Sequence, residues 1–483
     1  MAVIGLDIGT SGCKAIAYRS DGKALAHAYI ENKVEYSGDV SEINADQVWE
    51  NVKIVLCQCA IQAGEPIDGI GISSFGESFI AVDESGNVLM PSMLYTDTRG
   101  NEEIGIMKQF VSTTKLMPHA TFTLPKVLWF RKHCADVFRR THHIFLFEDF
   151  IIFRLTGAFI ISQSMAARTG FLDITSKQYS QSIMNKAELS PELFSKPMLP
   201  GTTCGIVRHL PPLDGAIVVT GGQDQVCAAL GAGVMEEGDA VCGIGTVECI
   251  TPLFNGILIN DRMVQSGYCC IPFDTNNHYV TFAYNYTGGA SIKWFARNLA
   301  SSSTADIYSE YERKATPLHN ELLVLPHFAG AATPYMDINA RAAILGITLA
   351  TTQEDIYRAI MEGCCYEMRI NLEQLYEGGI SVKRLVATGG GAASSLWVQM
   401  KADIFNLPVQ TLQNPEAGTV GAAILAGLAT GMFSSKSEAV ASLVQYNRTY
   451  DPQHCEHGYY EKKYSKYRLL YHALKKLDEV SIC

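Results

Sequence analysis

No two of the fourteen cysteines are spaced as CxxC. They are scattered, and Cys57-x-Cys59 and the neighbours Cys269-Cys270 and Cys364-Cys365 lie in mostly apolar segments. That excludes a disulfide framework and predicts buried free thiols in a reducing, cytoplasmic setting. Basic residues are in deficit, with a formal net charge of −11. Nucleic acid is therefore excluded as a partner, because phosphate backbones are bound by basic patches. The first residues carry no basic segment, and Asp7 interrupts their apolar stretch, so no signal peptide is expected. Long apolar runs are missing too, so no membrane partner is expected. The longest run, about residues 421–433, is short, rich in glycine and alanine, and predicts a packed helix. There is no Ser/Pro-rich linker, so a tight hinge near Gly233 is expected between two halves; Ser301-Ser302-Ser303 reads as a local loop. The cluster His454-Cys455-Glu456-His457 has metal-ligand residue types but predicts a solvated loop ahead of a tyrosine-rich tail.

What is present describes a well-buried globular enzyme: 483 residues, 47% hydrophobic and 18% charged. That length exceeds one ordinary core, and two domains are expected, residues 1–233 and 234–483. An internal echo supports the division. Asp7-Ile8-Gly9-Thr10 returns in part as Gly243-Ile244-Gly245-Thr246, with the threonines 236 residues apart. Each Gly-Thr follows an apolar run, where glycine lets the backbone bend close to a ligand. Turn amides and a threonine hydroxyl can form an anion nest, so two such turns across a cleft suit a polyphosphate. The echo is unequal, because Gly243 stands opposite Asp7. One carboxylate near the phosphates suits a single magnesium ion.

Residues 3–8, 14–18 and 25–30 read as strands, the last two joined at Asp21-Gly22. A helix follows from the N-cap candidate Asn44, with Gln47 at the capping-box position and Trp49, Val52 and Leu56 on its apolar face. Residues 68–73 make a further strand. This β-β-β-α-β order is a nucleotide-binding arrangement distinct from the Rossmann β-α-β. Residues 217–233 read as strand, glycine turn and helix. In the second half, residues 240–250 predict a strand pair about the Gly-Thr turn, 279–284 a strand, 355–376 a long helix, and 384–388 a strand. The last runs into Gly389-Gly390-Gly391 and a helix from Ser394.

Several segments, in order, resemble the FGGY family of carbohydrate kinases. They are residues 4–11, Gly221-Gly222-Gln223-Asp224-Gln225, Gly245-Thr246, Gly288-Gly289-Ala290-Ser291-Ile292-Lys293-Trp294, Thr123-Leu124-Pro125-Lys126-Val127-Leu128-Trp129 and residues 389–397. One glycine motif alone is weak evidence; the ordered set is strong. The resemblance implies an α/β fold of two actin-like, ribonuclease-H-like ATPase domains with magnesium-ATP in the cleft between them. By the same resemblance Asp7 would hold Mg²⁺, shared with Asp224, and Thr10 and Ser11 would meet the terminal phosphates. Gly245 and Thr246 would grip them from the other domain, and Gly289, Lys293, Gly390, Gly391 and Ser394 would line the nucleotide pocket.

Asp224, after two turn-forming glycines and before a helical run, is the expected general base; the alternative is an ordinary N-cap. Phosphoryl transfer rests mainly on alignment and charge neutralisation, so this base orients the acceptor hydroxyl and takes its proton late. Acceptor recognition is expected from Glu77, Gln225 and the run Tyr95-Thr96-Asp97-Thr98-Arg99, in which Asp97 and Arg99 could instead simply pair. Glycerol kinases carry arginine before the glutamate, where this chain has Gly76, and tyrosine at the position of Thr121. Xylulose kinases carry methionine and histidine in place of Gly76 and Glu77. The missing arginine and tyrosine leave room for a sugar, polyol or sugar acid larger than glycerol, and a ketose of the xylulose-kinase kind is the expected acceptor. A homodimer joined through the second half is the association the resemblance implies. The rival readings are an actin- or chaperone-like ATPase switch and a sugar-sensing protein of the same fold. No peptide-binding domain is appended, and both Asp7 and Asp224 are kept.

Overall fold

The computed structural model describes residues 1–38, 40–274, 276–301, 307–315 and 319–478, so Ser302 and Ser303 of the serine run lie outside the described residues. Two large sheets organise it. The first uses β1 (Ala2–Ile8), β2 (Gly12–Arg19), β3 (Ala24–Glu31), β4 (Ile67–Ser74), β5 (Thr203–Ile206) and β6 (Ile217–Gln223), in the spatial order β5-β6-β4-β1-β2-β3. The second uses β7 (Asp239–Ile244), β8 (Glu248–Asn255), β9 (Ile271–Pro272), β10 (His278–Val280), β11 (Ala283–Asn285), β12 (Arg384–Thr388), β13 (Val409–Leu412) and β14 (Tyr446–Tyr450). Its order is β9-β10-β8-β7-β12-β13-β14, with β11 also paired to β8. The echo in the sequence is thus an echo in topology. In each sheet the strand before Gly-Thr forms an antiparallel hairpin with the next strand and pairs in parallel with a later one on its other side.

The helices follow the same duplication. Helix α1 (Ala45–Ala63) starts where Asn44 Oδ1 accepts from the Gln47 amide at 3.0 Å and stops at Gly64 in the left-handed region. Gln47 turns to Asn51 instead of closing a capping box, and the buried stripe centres on Val48, Val52, Val55, Leu56 and Cys59. Each half then sends a helix back from its sheet: α2 (Asp224–Gly231) after β6, and α6 (Ala417–Ala429) after β13. Between them in sequence lie α3 (Gly289–Asn298), α4 (Gln353–Glu377) and α5 (Ser395–Phe405).

Helices α2 and α6 pack on each other and on the first sheet through glycines. A Cβ on Gly231 would collide with the Ala417 carbonyl oxygen, one on Gly421 with that of Cys227, one on Gly5 with that of Thr419, and one on Gly71 with that of Ala422. Only the absence of a side chain permits this approach. One buried cluster, with Val219, Val226, Leu230, Val241, Val386, Val420 and Ile424, fills the space between the two sheets. The run predicted as a packed helix is α6, and among the described residues no helix is long and apolar enough to cross a membrane.

Three expectations are corrected. His454 to His457 form the first turn of the helix His454–Tyr467 rather than a loop, with a His457 ring nitrogen 2.8 Å from the Asp403 carbonyl oxygen. Burial of Tyr460, Tyr464 and Tyr467 along one face outweighs the polar start. Residues 279–284 split into β10 and β11, both on β8. A small hairpin, Val34–Ser37 with Val40–Ile43, lies between β3 and α1, where no strand was expected.

Candidate active site

The first turn is closed by the Gly9 amide donating to the Gly12 carbonyl at 2.9 Å and the Gly12 amide donating back to Gly9 at 3.3 Å. Among the described residues no backbone bond uses the amides of Thr10 and Ser11, so both are free for an anion. Asp7 ends β1 beside this turn. Ser73, on the neighbouring parallel strand β4, donates to its Oδ1 at 2.6 Å. Gly418 faces the same carboxylate, and a Cβ there would stand 3.3 Å from Asp7 Oδ2. Burial raises the Asp7 pKa against the opposing effects of Ser73 and Lys14.

Asp224 is delivered by an irregularity in β6. The register against β4 shifts between Thr220 and Gly222. A Cβ on Gly221 would strike the Ile72 carbonyl oxygen, and Gly222 has φ of +155°. Two side chains hold the bulge open: buried Glu148 accepts from the Gly221 amide at 3.1 Å and the Ser162 amide at 2.9 Å, and Ser164 accepts from the Gln223 amide at 3.1 Å. The N-cap role falls to Gln223, whose side chain accepts from the Gln225 and Val226 amides. Asp224, the first residue of α2 and half-buried, has its carboxylate bonded to the Gln225 amide at 2.6 Å and to the Gln223 side chain. Burial, then the charges of Asp7 and of Glu77, push its pKa up to about 7. The Gln225 side-chain oxygen reaches toward β7, 3.9 Å from where a Gly243 Cβ would be.

Glu77 has φ of +67°, a left-handed conformation that costs a non-glycine residue about 1 kcal/mol or more. Both its ends are pinned: Thr123 donates to its carbonyl at 2.9 Å, and Arg168 donates to its carboxylate. A cation stands beside Gly76: Arg168, whose Cβ and Cγ lie 3.4 and 3.5 Å from where a Gly76 Cβ would be. Phe122, next to Thr121, lies under the Arg168 guanidinium at 4.9 Å. Of the run 95–99, Tyr95 neighbours Thr10 and feels the charges of Glu77 and Asp224, which together with burial raise its pKa. Asp97 is buried. Both its oxygens are held by Arg99, one also by the Ser41 amide at 3.0 Å, and Arg99 goes on to Glu42 at 2.6 Å. The segment Thr123–Trp129 braces this wall: besides Thr123, fully buried Lys126 donates to the Thr121 carbonyl at 2.6 Å, and Arg99 lies 5.0 Å over Trp129.

Across the cleft, Gly245 and Thr246 form the exposed β7–β8 turn. Their carbonyls accept from the Gly289 amide at 2.7 Å and the Gly288 and Ala290 amides at 2.9 and 3.1 Å, so the turn caps α3. Lys293 is exposed on that helix. Gly389, with φ of +79°, and Gly391 press on Ile244, while a side chain at Gly390 would meet only open space. Ser394 is the N-cap of α5, accepting from the Trp397 amide at 3.1 Å. The Gly245-Thr246 turn, the start of α3 and the Gly389–Gly391 turn therefore converge at one edge of the second sheet. Ser73, Glu148, Lys126 and Arg168 were not found by sequence reasoning. Lys126 lies inside a motif that was singled out; the others carry no local signal.

The N-terminal domain of the FGGY family of carbohydrate kinases matches residues 2–231, and its C-terminal domain matches residues 244–430. The chain is 29% identical to a xylulose kinase of Bacillus subtilis (strain 168), over 99% of this chain and 98% of that one. Its fold is that of a gluconate kinase from Lactobacillus acidophilus, with a TM-score of 0.90 and 23% identity over 98% of both chains. It is also that of a Plasmodium falciparum glycerol kinase solved with ADP, with a TM-score of 0.88 and 19% identity over 96% of this chain and 97% of that one.

Proposed function

The chain belongs to the FGGY family of carbohydrate kinases and is an ATP-dependent carbohydrate kinase, and on that footing we propose that it phosphorylates a primary hydroxyl of a small ketose or polyol with Asp224 as general base. The observation that carries this reading is the state of Asp224: a half-buried carboxylate at a helix start, in the field of Asp7 and Glu77, with a pKa near 7. Such a group holds the acceptor hydroxyl by its proton and takes that proton as the oxygen bonds to the γ-phosphorus and ADP departs. The xylulose-like acceptor draws on the names of the curated relatives.

The nucleotide is assigned to the second half, residues 234–483, through Gly245, Thr246, Gly289, Lys293, Gly390, Gly391 and Ser394. The acceptor is assigned to the first half, residues 1–233, through Glu77, Gln225 and Asp224, with Thr10 and Ser11 at the phosphates. For Asp97 the reading changes from contact to support, since Arg99 and Ser41 occupy it. The donor set fits magnesium. Asp7 and Asp224 are hard oxygen ligands in each other's field, and Gly418 leaves space before the Asp7 carboxylate. Bound there, the ion would neutralise charge on the phosphates. Asp7, steadied by Ser73, would hold it, while Asp224 keeps an oxygen for the acceptor.

The test is Asp224→Asn. Sugar-dependent ADP release is expected to fall about a hundredfold or more, while ATP binding by fluorescence titration stays close to wild type. Near wild-type turnover would remove Asp224 from the role of base.

A further inference from the structure

Arg168 reaches the acceptor wall from a residue 91 positions beyond Glu77. It follows the one-turn helix Gln163–Ala166, which is tied to the Asp224 bulge by the bond between Ser164 and the Gln223 amide. Its Cβ and Cγ lie 3.4 and 3.5 Å from where a Gly76 Cβ would be, so the arginine stem lies against Gly76. Its Nε and Nη2 both fall on Glu77 Oε1, at 2.5 Å. Among the described residues no hydrogen bond engages Glu77 Oε2. The guanidinium is held in plane by Phe122 at 4.9 Å, by Phe282 of the second half at 5.4 Å, and by Nη1 directed at Cys269 Sγ at 3.6 Å.

We propose that Arg168 is the specificity-determining residue of the acceptor site, presenting with Glu77 a paired acceptor and donor for adjacent hydroxyls of a neutral ketose or polyol and turning sugar acids away. The proposal rests on the acceptor site assigned above. Hydroxyls donate and accept at once, so one can give its proton to Glu77 Oε2 while its neighbour accepts from an Arg168 N–H. A sugar carboxylate finds the opposite situation. The arginine charge is already matched by Glu77, and Lys126 is buried against the Thr121 carbonyl. An anion would therefore meet the Glu77 carboxylate with the neighbouring guanidinium already paired.

The experiment measures KM for ATP and for two probes, xylulose and gluconate, after an ADP-release screen that also includes other neutral ketoses and polyols. The enzymes are wild type, Arg168→Gln, Arg168→Lys, Glu77→Gln and the double variant Arg168→Gln/Glu77→Gln. Wild type is expected to prefer a neutral acceptor. Arg168→Gln should raise the KM of that acceptor about tenfold to hundredfold with the KM of ATP and the melting temperature little changed, and Arg168→Lys should recover part of the loss. Glu77→Gln should unmask the arginine and move the ratio of kcat/KM toward gluconate by about tenfold. The double variant should lose that gain. A wild type that prefers gluconate, or an Arg168→Gln variant whose acceptor KM is unchanged, overturns the proposal and leaves the kinase reading standing. So does an Arg168→Gln variant that raises both KM values alike and lowers the melting temperature. A wild type that releases no ADP with any carbohydrate removes the acceptor reading beneath it.

Discussion

At the scale of single residues, Asp224 is charged against its surroundings. Burial is the largest cause of its raised pKa, and Asp7 and Glu77 add like charge, bringing it to about 7 from 3.8. A base must be unprotonated to accept, so kcat/KM for the acceptor should rise with pH through about 7 and level off above it. The kcat profile should break at a lower pH, because magnesium-ATP and the acceptor stabilise the charged form. A pH–rate series from about 5.5 to 8.5 checks this, and a flat kcat/KM would contradict the assignment. The same shift has a sign in stability. The native carboxyl binds its proton more tightly than the unfolded one, so this group's contribution falls as pH climbs from about 4 to 7 and is constant above. Asp224→Asn should accordingly melt higher than wild type at pH 8, with a difference that shrinks as the pH is lowered.

At the scale of elements, the helix pair α2 and α6 does the positioning. Asp224 opens one, and Gly418, which faces Asp7, sits in the first turn of the other. Their contact depends on Gly231 and Gly421, where any Cβ would strike backbone and not a yielding side chain. Gly421→Ala should therefore cost about 1–3 kcal/mol and lower kcat along with stability, since Asp224 rides on α2 and Asp7 on β1 is faced by Gly418 of α6. Gly458 is the control. It is exposed inside the helix His454–Tyr467 with nothing near a Cβ. Gly458→Ala should stabilise by about 0.5–1 kcal/mol through helix propensity and leave kcat unchanged. Urea denaturation of both variants, read with their kinetics, separates crossing geometry from propensity.

At the scale of the molecule, the chain runs from the first half to the second at residues 231–239 and returns at 412–417 into α6, which packs on the first sheet. It goes back to the second sheet at β14. The first passage is pinned where Arg384 donates to the Gly233 carbonyl at 2.8 Å. The second is held by the Lys14–Glu416 ion pair and by Asn414, which donates to the Tyr18 hydroxyl at 3.1 Å. On the proposed assignment, phosphate turns on both halves give a nucleotide reason to draw the halves from an open to a closed form. Because a ligand shifts this equilibrium only by binding the closed form better, ATP analogue and acceptor together should reduce the radius of gyration more than either alone. Small-angle scattering with binding confirmed separately measures this; an unchanged radius would mean a cleft closed in advance.

What could be read from the chain itself was whatever depends on near neighbours. The Gly-Thr turns, the Asn44 cap, the strand–glycine–helix that presents Asp224 and the β-β-β-α-β order are short-range properties of φ freedom, capping and periodicity, and all are where those properties put them. The duplicated turn even revealed the duplicated topology, because turn chemistry survives where the intervening lengths differ. The support of the site was decided only in three dimensions. Ser73 meets Asp7 across a parallel ladder, Glu148 holds the Gly221 amide from 73 residues away, and Arg168 pairs with Glu77 from 91 residues away. No local pattern marks such residues, since a buried donor finds its acceptor through the packing of whole elements. For that reason the order of motifs pointed to the reaction, while the identity of the cation beside Glu77 had to wait for the fold.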